Sequence, residues 1–126
     1  MKITQIINAK RAFSNYLDAK MPPAVAYKIM KLVRSAETEE AFYQKEIQKI
    51  IEQYGMRNDD GSFVKTKDGG IHLIKETLDE CNEKLRDLED LDVDAPEIKF
   101  SLDELSCISM TVREMSAISE FISDQC

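Results

Sequence analysis

A chain of 126 residues with a net charge of −7 has material for one domain with a modest core. Its acidic balance excludes general affinity for nucleic acid. Its apolar runs are too short for any segment to span a bilayer, and 43% hydrophobic with 33% charged residues fits a soluble, helix-rich protein. The N-terminus lacks the apolar stretch of a signal peptide. Cys81, Cys107 and Cys126 are odd in number and widely spaced, which predicts neither a disulfide framework nor a metal-ligand pair and favours a reducing cytoplasm. No cofactor is expected. Charge is divided along the chain. Residues 1–34 carry +6, from seven basic residues against Asp18, and the remainder carries −13.

The pattern predicts a mainly α (α+β) fold: long antiparallel helices in a hairpin or bundle, a small β-hairpin or three-stranded sheet, and a short C-terminal helix. A first helix is expected over residues 4–19, with Ile3, Ile6, Ile7, Phe13 and Leu17 on one face and Lys10 near its middle. A lysine there either lays its stem on the core and extends its ammonium outward, or meets an acidic partner or ligand. Pro22 ends this helix and Pro23 opens the next.

Residues 24–54 contain neither proline nor glycine. Ala26, Ile29, Val33, Ala36, Tyr43, Ile47, Ile50 and Tyr54 recur at spacings of three and four, with Glu40 in one seam position. Such a helix is about 46 Å long. A domain of this size is narrower, so a homo-oligomer is expected, its seam formed by Ile29, Val33, Ala36, Glu40, Tyr43, Ile47, Ile50 and Tyr54. Glu40 marks a place where a basic residue arrives or where the seam opens to water. Gly55 is expected in the left-handed position that ends the helix.

Residues 1–55 thus read as a helical hairpin and 56–74 as a β-hairpin. In the latter, Asn58-Asp59-Asp60-Gly61 and Lys67-Asp68-Gly69-Gly70 are turns beside the strands Phe63-Val64-Lys65-Thr66 and Ile71-His72-Leu73. A third helix, residues 75–91, carries Ile74, Leu78, Cys81, Leu85 and Leu88 inward and acids elsewhere. Residues 97–126 give a short strand, Ile98-Lys99-Phe100, which joins the hairpin. Two capping boxes follow, Ser101 to Glu104 and Thr111 to Glu114. All of this reads as a single domain, 1–126.

Catalytic material is sparse. The one histidine, His72, sits on an expected strand without ligand-spaced neighbours, and no glycine loop precedes a helix in phosphate-cradling form. The Asn58–Asp60 cluster lacks the ligand alternation of a calcium loop. The expectation is therefore not an enzyme, with no metal site. Lys28, Lys31 and Arg34 form a slanting stripe, and the hinge brings Lys10 or Arg11 towards it. This basic pole either pairs with acidic helices of the same or a neighbouring subunit, or binds an anion.

The chain resembles small, mostly uncharacterised proteins of bacteriophages and prophages, particularly those of Gram-positive hosts. The matching features, in order, are the Ile-rich opening (Ile3 to Asn8), the proline hinge with Ala24-Val25-Ala26-Tyr27-Lys28-Ile29, and the long helix ending in Glu52-Gln53-Tyr54-Gly55. An Asp/Asn-Gly hairpin, Ile98-Lys99-Phe100-Ser101-Leu102-Asp103-Glu104-Leu105 and Met110-Thr111-Val112-Arg113-Glu114-Met115 follow. The resemblance implies a phage setting in the host cytoplasm and no catalytic residues. With the basic pole, it leads to an expected non-enzymatic counter-defence role, sequestering an anionic, nucleotide-type immune signal or binding a host defence protein. The alternative is a morphogenesis or virion-associated assembly protein.

Overall fold

The structure is a computed structural model in which residues 1–123 are described. It is mainly helical: α1 (Ile3–Phe13), α2 (Pro23–Gln53), α3 (Leu78–Glu89), α4 (Leu102–Leu105) and α5 (Val112–Ala117). Two compact units divide the chain. The first takes residues 1–41 and the described residues from 92 onward, and the second takes residues 42–91.

In the first unit α1 packs against α5. Its core holds Ile3, Ile6 and Phe13 of α1, Leu32 and Ala36 of α2, and Phe100, Ile118 and Phe121. Each Ile, Leu or Phe fully buried there is worth about 1.5–3 kcal/mol of transfer free energy. The Phe13 and Phe100 rings meet at 5.3 Å between centroids, tilted by 45°, a favourable aromatic geometry. Both expected capping boxes form. Ser101 Oγ accepts from the Glu104 N–H at 3.1 Å, and the Glu104 carboxylate accepts from the Ser101 N–H at 3.0 Å. Thr111 and Glu114 repeat the exchange at 3.1 and 2.9 Å. Without these reciprocal bonds, helices of four and six residues would leave most of their end groups unsatisfied.

The second unit contains the end of α2, residues 54–74, and α3. The segments around residues 54–58, 62–66 and 70–74 each touch the other two through isolated antiparallel bridges: Gly55 with Leu73, Arg57 with Phe63, and Lys65 with Ile71. Three central hydrogen bonds close a ring: Met56 N–H to His72 O at 2.7 Å, His72 N–H to Val64 O at 2.8 Å, and Val64 N–H to Met56 O at 2.9 Å. Residues 56, 64 and 72 lie eight apart, so the ring is an eight-residue repeat with pseudo-threefold bonding. Its two connecting turns close alike, Gly61 N–H onto Asn58 O and Gly69 N–H onto Thr66 O, each with its glycine at positive φ (88° and 85°). α3 buries Cys81 completely.

Several expectations need correction. No sheet forms among the described residues, because the three segments close on one another after a single bridge each instead of lying flat as hairpin strands. Ile98-Lys99-Phe100 does not extend that motif; Phe100 instead makes a parallel bridge to Ile122. The first helix ends at Phe13 rather than residue 19. There the Ser14 hydroxyl donates to Arg11 O at 2.6 Å, and the chain tightens into a 3-10 turn over Ser14–Tyr16. Residues 75–77 are likewise a 3-10 turn before α3, and Leu78 is exposed. Gly55 is not left-handed, since the positive-φ glycines are Gly61 and Gly69. A Cβ at Gly55 would lie 2.6 Å from Ile71 Cγ2 and 3.0 Å from Phe63 Cδ1, so close packing, not a helix cap, requires glycine there. Cys126 lies outside the described residues.

Candidate ligand-binding cleft

The five cations expected at the basic pole have different surroundings. Lys10 of α1 donates to Glu40 of α2 at 2.9 Å, with both side chains about three-quarters buried (24% and 26% exposed). The seam glutamate therefore has its basic neighbour within the same chain. Lys28 grips the Glu104 carboxylate through both oxygens at 2.9 and 2.8 Å and also donates to Lys99 O at 2.9 Å. Its ammonium lies 5.9 Å from the centre of the Phe100 ring. Glu104 thus caps α4 and ties α2 to it. The Lys28 bond, followed by the capping N–H of Ser101, holds its carboxyl below the usual carboxylate range.

Glu114 does the same for α5. It accepts from Thr111 N–H, from the Tyr16 hydroxyl at 2.6 Å and from Asn15 Nδ2 at 3.1 Å. These bonds, with the Thr111 backbone bond the largest, pull its carboxyl down to about 2 and push the Tyr16 phenol up. Arg11 is exposed and lines an open groove with Asn8, Asn15, Arg113 and Glu114, apart from the α2 stripe.

Lys31 and Arg34 remain. Both are exposed on α2, and Lys31 stands 5.2 Å over the Tyr27 ring. Arg34 lines a cleft of about 340 Å³ between the 3-10 turn after α1, the loop to Pro23, and α2. The walls are apolar: Leu17, Met21, Ala26, Ile29, Met30 and Val33 among them. Tyr16 contributes its ring, because its hydroxyl is engaged by Glu114 and by Ser109 O, both at 2.6 Å. Glu37, one turn beyond Arg34, is the second charged lining residue. Neither carries an ion pair among the described residues. Arg34 therefore presents its planar donor fork beside an apolar recess, a setting suited to an oxyanion joined to a ring or chain.

The seam residues divide between the units. Ile29 and Ala36 are buried in the first, and Val33 is half-buried on the cleft wall. Tyr43, Ile47 and Ile50 are half-buried in the second, where Tyr54 is buried with Lys84 Nζ 5.4 Å from its ring. His72 is exposed and takes part in the three-segment ring through its backbone. The Asp60 carboxylate accepts from Ser62 Oγ and N–H at 2.6 and 2.9 Å, an ordinary turn-closing role. No group of three or more potential metal ligands assembles among the described residues. No helix among them is long and apolar enough to cross a membrane.

Sequence reasoning located Arg34 but missed the cleft, its Met30 and Glu37 walls, and the roles of Glu104 and Glu114 beyond capping. A signal for the cleft was present. Met30 and Glu37 lie seven residues apart beside Arg34 and flank the seam residues Ala26 and Val33 at spacings of three and four. Comparison with protein-family models, curated proteins and solved structures finds no match for the chain.

Proposed function

We propose that this chain is a phage-encoded, non-enzymatic binding protein that acts by occupancy in counter-defence. In the host cytoplasm it captures an anionic, nucleotide-type immune signal. The observation that carries this reading is Arg34, a cation without an ion pair among the described residues, at an apolar cleft of ligand size. Lys31, one turn away, adds a second positive charge on the same side of α2. Lys10 and Lys28 hold the fold together through Glu40 and Glu104, so the ligand-binding role contracts from five cations to Arg34 and Lys31.

The test is a protection assay in bacteria carrying nucleotide-signalling immunity, infected with a phage that the immunity restricts. The unmodified protein is expected to restore plaque formation. Lys31→Glu with Arg34→Glu is expected to abolish the rescue while leaving the melting temperature nearly unchanged, because both residues are exposed. Full rescue by the folded double variant would remove this site from the function. Absence of rescue by the unmodified protein across such systems would overturn the counter-defence reading.

A further inference from the structure

Resting on that reading, we infer that the cleft seats a guanine-type base, with Glu37 as the acceptor that reads its edge and Arg34 as the donor to its phosphate. The cleft has one fixed charge of each sign, one helical turn apart on α2 and lining the same recess. This combination restricts the ligand more than a basic patch does. A polyanion would meet Glu37 beside Arg34 and be repelled by that carboxylate. A purely apolar ligand would bury Glu37 and Arg34 without hydrogen-bond partners, at a cost in both cases.

A nucleotide resolves both problems, because it carries negative oxygens at one end and N–H donors at the other. The other walls, among them Leu17, Met21, Ile29, Met30 and Val33, are apolar and suited to the faces of a flat ring. Methionine thioethers pack well against aromatic rings. Tyr16 adds an aromatic face but no free donor, since its hydroxyl is committed to Glu114 and Ser109. Base identity therefore falls to Glu37. An ionised carboxylate only accepts and can take two parallel N–H bonds. Guanine offers its ring N1–H and its amine side by side, whereas adenine and cytosine offer an amine alone and hypoxanthine a ring N–H alone. The cleft volume of about 340 Å³ is at the small end of ligand pockets and is enough for one base.

The experiment is calorimetric titration of the full chain with the 5′-monophosphates of guanosine, adenosine and inosine, and with their 3′,5′-cyclic forms. Guanosine forms are expected to bind at least tenfold more tightly than the others. Glu37→Gln should bring guanosine forms to the inosine level while retaining binding, and Arg34→Glu should weaken every phosphate to the same degree. Binding without base preference, or a preference that survives Glu37→Gln, would overturn the assignment of Glu37 and leave the proposed capture of nucleotides standing. No binding by any member of the panel would overturn both.

Discussion

Gly55 gives the most direct test of how residues 54–74 are built. Replacing it with alanine places a Cβ 2.6 Å from Ile71 Cγ2, 3.0 Å from Phe63 Cδ1 and 3.1 Å from Ile51 O. Carbon atoms in contact rest about 3.5–4.0 Å apart, so Ile71 must retreat by about an ångström. Its backbone is held by the bridge to Lys65 of the neighbouring segment, and the Ile51 oxygen belongs to the backbone of α2, so neither yields freely. Overpacking of this kind costs about 1–3 kcal/mol. The loss of glycine freedom in the unfolded chain returns about 0.4–1 kcal/mol. A net destabilisation of about 1–2 kcal/mol is expected, read as a lower urea midpoint at unchanged slope. Ile71→Leu removes the Cγ2 methyl while keeping volume, so Gly55→Ala should cost clearly less in that background. Gly55→Asn separates the two readings of this glycine. A left-handed cap tolerates asparagine well, whereas a crowded position tolerates it worse than alanine. Gly55→Ala as stable as the parent, or asparagine better than alanine, would refute the packing argument.

Further outcomes follow from the same structure. Glu114 has its carboxyl lowered from 4.5 to about 2, so its stabilisation is present above the unfolded value and is lost as pH falls through the folded one. Glu114→Gln should therefore destabilise the protein at neutral pH and flatten its acid unfolding between those two values. The Cys81 thiol is fully buried and raised by desolvation, so it should resist thiol reagents until denaturant is added, while exposed Cys107 reacts at once; rapid native labelling of Cys81 would show α3 to be misphased. Phe13→Ala removes a fully buried ring tilted against Phe100 and should cost about 3–5 kcal/mol in chemical denaturation. Self-association along the half-buried stretch of Tyr43, Ile47 and Ile50 is proposed from the length of α2, and sedimentation velocity showing a monomer at all concentrations would dispose of it.

Much of the helical plan was legible because it rests on local rules. The apolar rhythm after Pro23, interrupted at Glu40, gave α2 to within a residue at each end, and the Ser/Thr-x-x-Glu spacing gave the starts of α4 and α5. What was not legible depends on partners far apart in sequence. Nothing near Glu104 indicates that Lys28 will reach it, and nothing near Glu114 indicates Tyr16, yet the first bond withdraws a cation from the basic pole and the second withdraws the Tyr16 hydroxyl from the cleft. The turns at Gly61 and Gly69 were readable from Asp-Gly chemistry. The threefold closure was not, because alternation over three or four residues is the same whether segments lie flat or meet in a ring. The cleft was hidden for a related reason. Leu17 and Tyr16 read as one more turn of the first helix, and only the early tightening at Ser14 leaves them in the chain that lines it.

Native mass spectrometry of the protein recovered from phage-infected cells tests the central claim most directly, because it reports stoichiometry and any retained ligand together. The account predicts a bound species of nucleotide mass on the unmodified chain and its loss from a folded Arg34→Glu variant. Protein recovered without any such species, or one that remains bound after Arg34→Glu, would contradict it.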